Sequence, residues 1–356
     1  MRLHSIFSEA WRNLIHGTSR AFLWSVVLAL GLGGLAALDG LRIAEILGDV
    51  TKFRAAGADI TVVQTETLID GAACDRLSQT PGVQGAGAVA RSEYITLPGA
   101  PNSPLQTYLV SPHMAAVLHV VSNGETGVWM ATQQAEQLGL QLGDSIPSSA
   151  GNALHLTGTF PWPQDGRDAR FRFAVLIPTQ PATQLFDECW MRAWPHQEDV
   201  QALLMSTVMV GSGLNQAQTA KVNATLGQTL DATTRFQTRT TSWVALVCPL
   251  AGIACGWASS RVRRLEFASS LHVGQTHTGL GLTVALETIV IAMLATVLAS
   301  QALWLILRFT GTVDLWPVFL VVGRGIVAGS SAFIVGAVAA TASTRERHLF
   351  RYFKKR

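Results

Sequence analysis

Two acidic pairs, Asp187–Glu188 and Glu198–Asp199, stand close to Trp190 and Trp194. Carboxylates facing each other beside an aromatic surface are what glycoside hydrolysis needs, one as acid and the other as base or nucleophile. Adjacent acids in a polar loop are more often simply solvated, and neighbours in sequence are not thereby apposed. The nine histidines are scattered: His113 and His119 are six apart, His272 and His277 five apart. Neither pair has an acid or a cysteine at metal-ligand spacing. No GxxxxGK[ST], HExxH, CxxC or GxSxG run occurs, so the chain has no phosphate-cradling loop, metalloprotease helix or hydrolase elbow of its own. The expectation is a non-catalytic chain that binds no cofactor and no metal.

Cysteine chemistry is more specific. Cys74 and Cys189 both lie in a long polar segment, while Cys248 and Cys255 are seven apart in an apolar stretch. If the polar segment is outside the cell, oxidation is permitted and a Cys74–Cys189 bond is favoured over two buried thiols. The other two read as small packing residues.

The elements that would position these groups divide sharply by hydropathy. Only 14% of the 356 residues are charged, against about 25% in ordinary globular domains. A bilayer span needs about 20 mostly apolar residues, and four stretches qualify: 21–38, 242–260, 279–307 and 318–342. The first two carry no charge, the third carries Glu287 and the fourth Arg324. The first has a basic flank like a signal peptide, but its length and the parity of the remaining spans argue for an uncleaved anchor.

Charge sets the orientation. Segments 1–20, 261–278 and 343–356 together hold 12 bases against 3 acids, whereas 39–241 holds 12 bases against 18 acids. Both termini and the 261–278 loop are therefore expected in the cytoplasm, with 39–241 outside and 308–317 a short external loop. The mild overall charge of +3 reflects this topology, and nucleic acid is not an expected partner. The fold class is an α-helical membrane protein with four transmembrane helices and a large extracytoplasmic α/β domain inserted between helices 1 and 2.

Within 1–20, Leu3, Ile6, Phe7, Ala10, Trp11, Leu14 and Ile15 recur at helical spacing, with Arg2, Glu9, Arg12 and Asn13 off the stripe. That pattern predicts an amphipathic helix along the cytoplasmic membrane face. The external segment alternates strand-like runs (58–63, 93–97, 105–110, 153–160, 171–177 and 203–210) with helical stretches at 68–78 and 132–138. Residues 161–168 are turn-rich. Polar residues 214–241 are expected to form a stalk-like helix feeding the second span. Small residues four apart, Ala29–Gly33–Ala37, Gly325–Gly329 and Ala328–Ala332–Gly336–Ala340, permit close helix approach within one chain or between two.

One span, a large external domain and three more spans, with these residues, resembles the permease subunits of FtsX-like and macrolide-exporter (MacB-type) ABC transporters. Glu9–Phe22 is similar to the family's opening helix, Gly57–Val63 to the first external strand, Thr80–Val83 to a helix-to-strand turn and Glu136–Ile146 to a segment of the exporter branch. Arg261–Thr288 looks like its cytoplasmic loop, with an Arg-rich start, Glu266, Gly274 and Glu287 entering the third span. The resemblance implies a separate ATP-binding subunit that holds ATP and Mg, a second permease in a homo- or heterodimer, and an extracytoplasmic partner or hydrolase in some branches.

It further implies that the ATPase docks on Trp11, Arg12, Arg261, Arg263, Arg264, Glu266, Phe267, Leu271 and Gly274. The residue types suit this: arginines can pair with acids on a partner, Phe267 and Leu271 offer an apolar ridge, and Gly274 lets the chain turn. Arginines there also enforce topology without any docking. Glu287 and Arg324 lie near opposite ends of their spans, so Glu287 is expected to cap a helix or pair with loop arginines. A membrane-anchored receptor or assembly factor with no ATPase is the alternative reading.

Overall fold

The structure is a computed structural model and describes residues 3–345 except 99, 148–152, 183, 197, 210–216 and 312–313. Most of the basic tail expected over 343–356 lies outside the described residues. The chain divides into two compact units, Met1–Gly48 with Thr233–Arg356, and Asp49–Ala232.

Two helices open the chain, α1 (Leu3–Ile15) and α2 (Ala21–Ala55). Positive φ angles at Gly17 (74°) and Arg20 (47°) break the path between them. The sequence reading ended the first span at Leu38, but α2 continues to Ala55 because no proline or left-handed residue interrupts it before Gly57. A helix of 35 residues is about 52 Å long, more than a hydrocarbon core needs.

The second unit is a mixed sheet with short helices. In chain order it contains β1 (Ile60–Ile69), α3 (Gly71–Arg76), β2 (Val83–Arg91), β3 (Ile95–Leu97), β4 (Ala100–Val110), α4 (Met114–Leu118), β5 (Val121–Ser122), β6 (Val128–Ala131), α5 (Thr132–Gln137), β7 (Ser145–Pro147), β8 (Ala153–Phe160), β9 (Ala174–Pro178), β10 (Phe186–Ala193), α6 (Val200–Met205) and β11 (Gln218–Lys221). The strand order is β11-β1-β10-β2-β4-β9-β6-β8-β5, with β3 on β4 and β7 on β8. β4/β9 and β6/β8 pair in parallel.

Period-two alternation sorts the side chains onto two faces. Ile60, Val62 and Trp190 join Phe160, Trp162 and Phe171 on one face. Val63, Cys189 and Met191 join Cys74, Phe186 and Leu204 on the other. Each such side chain contributes about 1.5–3 kcal/mol by leaving water. Cys74 and Cys189 form a disulfide, tying α3 to β10.

Several local expectations are corrected. The described residues of the 203–210 run, 203–209, do not form a strand: α6 ends at Met205, burying Val200 and Leu204 one turn apart, and Val208 makes an isolated bridge to Ile69. The 214–241 stalk helix is absent among the described residues. There Gln218–Lys221 pairs antiparallel with β1, and Gly227, at a φ of 96°, turns the chain before the short α7 (Ala232–Gln237). The 171–177 run becomes a strand only from Ala174, because Ala169–Phe173 is a 3-10 turn capped by Asp168. The expected helix 68–78 shortens to α3, whose N-cap Asp70 accepts from the amides of Ala72 and Ala73. Asp187 and Glu188 lie in β10, not in a loop.

Four more helices complete the first unit: α8 (Val244–Val262), α9 (Arg264–His272), α10 (His277–Arg308) and α11 (Leu315–Ala342). With α2, three of them (α8, α10 and α11) are long and apolar enough to cross a membrane. The bounds of α8, α10 and α11 lie within three residues of the sequence reading. All the strands fall between the first and second of these spans in chain order.

Glycines close the contact between α8 and α11. A Cβ on Gly252 or Gly256 would strike the carbonyls of Gly329 and Phe333, and one on Gly336 would strike Ile253. The glycines of the expected small-residue faces are used inside the chain, Gly33 packing on Ala299, Gly325 on Cys248 and Gly329 on Leu32 and Cys248, whereas Ala328 is exposed. Between apolar spans there is little hydrophobic gain, so backbone proximity and polar contacts hold the helices. Ser260 donates to the Ala337 carbonyl at 2.9 Å and Thr296 to Ser330 at 2.8 Å.

Candidate functional site

The first unit builds a polar elbow where α8 ends, α9 crosses and α10 begins. Arg263 stands between α8 and α9, with its backbone at φ −96°, ψ 8°. Its guanidinium pairs with Glu287 through one nitrogen and with Glu266 at 3.0 Å through Nε. It also lies 5.0 Å over the Phe267 ring. Glu287 is 1% exposed, and its other oxygen accepts from Asn13 Nδ2 at 2.6 Å. A buried carboxylate costs several kcal/mol unless paired and hydrogen-bonded, and here both oxygens are engaged. Three elements, α1, the α8–α9 corner and α10, therefore meet on one side chain. Gly274, at a φ of 101°, turns the chain out of α9, and Thr276 caps α10 by accepting from Gly279 N at 3.2 Å.

The expected docking residues separate into two groups. Phe267 (3% exposed) and Leu271 (5%) are not an exposed ridge. They pack on Leu280, Val284 and Ala337, because that face of α9 turns toward the spans. Arg263 is likewise spent inside the chain. Trp11, Arg12 and Arg261 are exposed, Arg264 is half-buried, and Glu266 is exposed while paired with Arg263. Arg261 stacks over Trp257 at 5.4 Å. Arg324 is exposed on α11, far in chain order from the elbow.

Val262, at 56%, and Val273, at 88%, are exposed apolar residues of the elbow, and Val273 was not singled out from the sequence. Val273 lines a cleft of about 510 Å³ with Glu9, Ser269, Ser270, Gly274 and Gln275. The apolar stripe of α1 also splits: Ile6 and Ala10 are buried, whereas Phe7, Trp11 and Ile15 are more than half exposed. Asn13, placed off that stripe by periodicity, is the residue that reaches Glu287. A one-turn offset from buried Ile6 and Ala10 was the available signal.

A second buried polar clasp lies elsewhere in the same unit. Asp39 accepts from Arg239 at 2.7 and 3.2 Å and from Thr241 at 2.5 Å, joining α2 to the segment before α8. Asp39 and Arg239 are 200 residues apart, and neither carries a local motif.

The sheet domain has its own cleft, of about 570 Å³, lined by Gln64, Glu66, Thr67, Arg91, Tyr108, Asp168, Arg170, Asp187 and Glu188 among others. Glu188 is held by Arg170 at 2.5 and 3.0 Å and by Trp190 Nε1 at 2.7 Å. Burial opposes the Arg170 charge, but hydrogen bonds and charge from Glu188 outweigh it and raise its pKa. Burial likewise pushes the Tyr108 hydroxyl above its ordinary value. Asp187 accepts from Thr67 Oγ1 at 3.0 Å and from the Arg91 amide at 2.8 Å. Both adjacent acids line the cleft and are hydrogen-bonded within the domain.

No family model matches the chain, and no curated protein matches it. Among solved structures it is similar to the periplasmic region of MacB from Actinobacillus actinomycetemcomitans, at 9% identity and a TM-score of 0.31 over 42% of this chain and 83% of that one. It is also similar to a domain assigned to a permease protein from Porphyromonas gingivalis, at 14% identity and a TM-score of 0.31 over 41% of this chain and 80% of that one.

Proposed function

We propose that the chain is the membrane-spanning, non-catalytic permease subunit of an ABC transporter of the MacB/FtsX type. A separate ATP-binding subunit holds ATP and Mg and docks on the cytoplasmic elbow. The observation that carries this reading is the three-way lock of Arg263, Glu287 and Asn13. A surface loop that only enforced topology would need basic residues but no buried ion pair to the third span. With the lock in place, a push on α9 displaces α1 and α10 together instead of bending the corner. Val273 and the cleft beside Glu9 offer the apolar foothold, while Arg12 and Arg261 offer charge to acids on the partner.

In this reading both termini and the elbow face the cytoplasm of a bacterial cell membrane, and the Asp49–Ala232 domain lies outside. ATP-driven closure biases a two-state arrangement of the spans, and the external domain responds. The work is mechanical, suited to efflux, to handling of lipids or lipoproteins, or to control of a cell-wall hydrolase. A second permease, like or unlike this one, completes the transporter.

The test is affinity purification of the full chain from its native membrane. An ABC-type ATP-binding subunit is expected with the wild type, and Val273→Asp is expected to lower its recovery at least tenfold without changing the amount of permease in the membrane. Absence of any ATPase from the wild-type preparation would overturn the reading. The 570 Å³ cleft of the sheet domain favours one second reading, a membrane-anchored receptor or assembly factor. That reading expects ligand binding to persist in cells lacking every candidate ATPase.

A further inference from the structure

A groove of about 880 Å³ runs between the opening turns of α10 and the closing turns of α11. Its floor is apolar: Gly281, Leu282 and Ala285 from α10, Val338 and Ala342 from α11. Small residues make the space, and a Cβ placed on Gly281 would meet nothing within 4 Å. Its rim is His277, Thr278 and Arg345, and no carboxylate lines it among the described residues. From His277 to Ala285 the helix rises about 12 Å, so one end of the groove is basic and the other wholly apolar. The neighbouring stripe of α10, with Leu280, Thr283, Val284 and Glu287, is buried in the unit. The groove therefore lies beside the packed interior.

We propose that this groove seats one anionic phospholipid of the cytoplasmic leaflet. Its phosphate lies against Arg345, with the His277 and Thr278 side chains beside it, and its upper acyl chains lie along Leu282, Ala285 and Val338. The inference rests on the reading of these helices as membrane spans with α10 entering from the cytoplasm, and it is independent of the ATP-binding subunit. Charge complementarity selects the occupant. A guanidinium is a rigid fork of donors that matches phosphate oxygens, and a rim with bases and no acid repels cations. The floor offers no hydrogen-bonding side chain, so a ligand that extends along it must be apolar there. A phospholipid carries both features in that order at that depth. It is a resident lipid, fixing the relative position of α10 and α11, and not a transported client.

The experiment uses the full chain reconstituted in vesicles of phosphatidylcholine with and without phosphatidylglycerol, then extracted into detergent for native mass spectrometry. Resistance to carbonate extraction is measured in parallel, so that failure of the span reading shows itself separately. One phosphatidylglycerol is expected to survive on the wild type. Arg345→Gln is expected to lower the preference for phosphatidylglycerol over phosphatidylcholine about fivefold, the worth of one basic residue against an anionic lipid surface. Ala285→Trp fills the floor and is expected to abolish retention of both lipids while insertion stays normal.

Excess inorganic phosphate or glycerol phosphate is expected to release nothing, since neither has chains to occupy the floor. Release by either would reassign the rim to free phosphate and overturn the proposal. Equal retention by wild type and both variants would overturn it too. So would higher lipid retention in a chain ending at Arg345, which would give the groove to the chain's own tail.

Discussion

In Asp49–Ala232, Phe171 stacks on Trp190 with ring centres 5.0 Å apart, and Trp162 packs against both. At the α8–α11 contact the opposite holds: Gly252 and Gly256 bring backbone onto backbone, with no side chain between. The difference follows from solvent. In water, a large ring gains by leaving the solvent and gains about 0.5–1.5 kcal/mol more from ring geometry. Between spans, hydrocarbon solvates a leucine as well as a neighbouring helix does, so the gain comes from close approach and polar contacts. Ion pairs follow the same divide. Arg170 and Glu188 sit at the edge of a cleft, whereas Arg263 and Glu287 lock three elements of the helical unit.

The largest break in this comparison is expected from Gly256→Leu. The added side chain meets the Phe333 carbonyl and the Ala337 amide, neither of which is a flexible tip. Overpacking usually costs about 1–3 kcal/mol, but a backbone obstruction leaves no rotamer that fits. The full chain should fail to accumulate in membranes, as seen by immunoblot, while Gly281→Leu accumulates normally.

Removing the covalent tie of the sheet domain ranks next. The Cys74–Cys189 bond spans a sequence separation of 115 residues, and closing a loop of that size is worth about 4–5 kcal/mol in the chain-entropy model. Cys74→Ser with Cys189→Ser should lower the urea midpoint of the tryptophan fluorescence transition, with the helical unit still inserted. An unchanged midpoint would mean that the ring core alone holds the sheet.

The elbow comes third. Glu287→Leu leaves the Arg263 guanidinium, with a side chain 12% exposed, facing an apolar neighbour, at a cost of about 3 kcal/mol. Arg263→Met with Glu287→Leu should recover most of that stability in a protease-resistance assay. It should not recover ATPase capture if the lock transmits force. Recovery of both would reduce the pair to packing.

Much of this division was legible in the residues. Four apolar runs and the basic flanks marked the helices, and the disulfide pairing followed from two cysteines in a segment read as external. The 153–160 run located its strand to the residue, while the runs at 58–63, 93–97, 105–110 and 171–177 overlapped strands with other bounds. β2 was missed because its Val83–Arg91 run is mostly Gly and Ala, too small to show alternation. β10 was missed because Asp187 and Glu188 look like a solvated loop, although Arg170 pairs with Glu188 and Trp190 donates a hydrogen bond to it. The elbow was half legible: Glu287 needed a partner, and the loop arginines were named. Which face of α9 turns inward was not, since Phe267, Leu271 and Val273 are all apolar and only tertiary packing chooses among them. The Asp39–Arg239 clasp joins residues 200 apart, and no local pattern announces such a pair.

The smallest effect expected concerns two aspartates of the sheet domain, and its sign distinguishes them. Asp59 is 3% exposed and faces Arg192 at 3.2 Å and Arg54 at 3.9 Å. Burial still outweighs both arginines and raises its pKa above the ordinary 3.8. The folded state then binds the proton more tightly than the unfolded state does. Stability from this group is complete below 3.8 and is lost as pH rises through the folded pKa. At Asp165 burial also acts to raise the pKa, but hydrogen bonds and charge from Arg167, at 2.8 and 2.6 Å, outweigh it and lower the value. Stability from Asp165 is present above 3.8 and is lost as pH falls through its depressed pKa. Urea midpoints of the full chain, taken from about pH 3 to pH 7, test this directly. Relative to wild type, Asp59→Asn should gain stability as pH rises from 3.8 toward neutrality, even though Arg192 lacks a counter-charge wherever the wild-type carboxyl is ionised. Asp165→Asn should show its deficit at neutral pH and lose it on acidification below 3.8. Parallel curves for the two variants would show that burial does not separate these carboxylates, and the contrast between buried and arginine-held acids in this domain would fall.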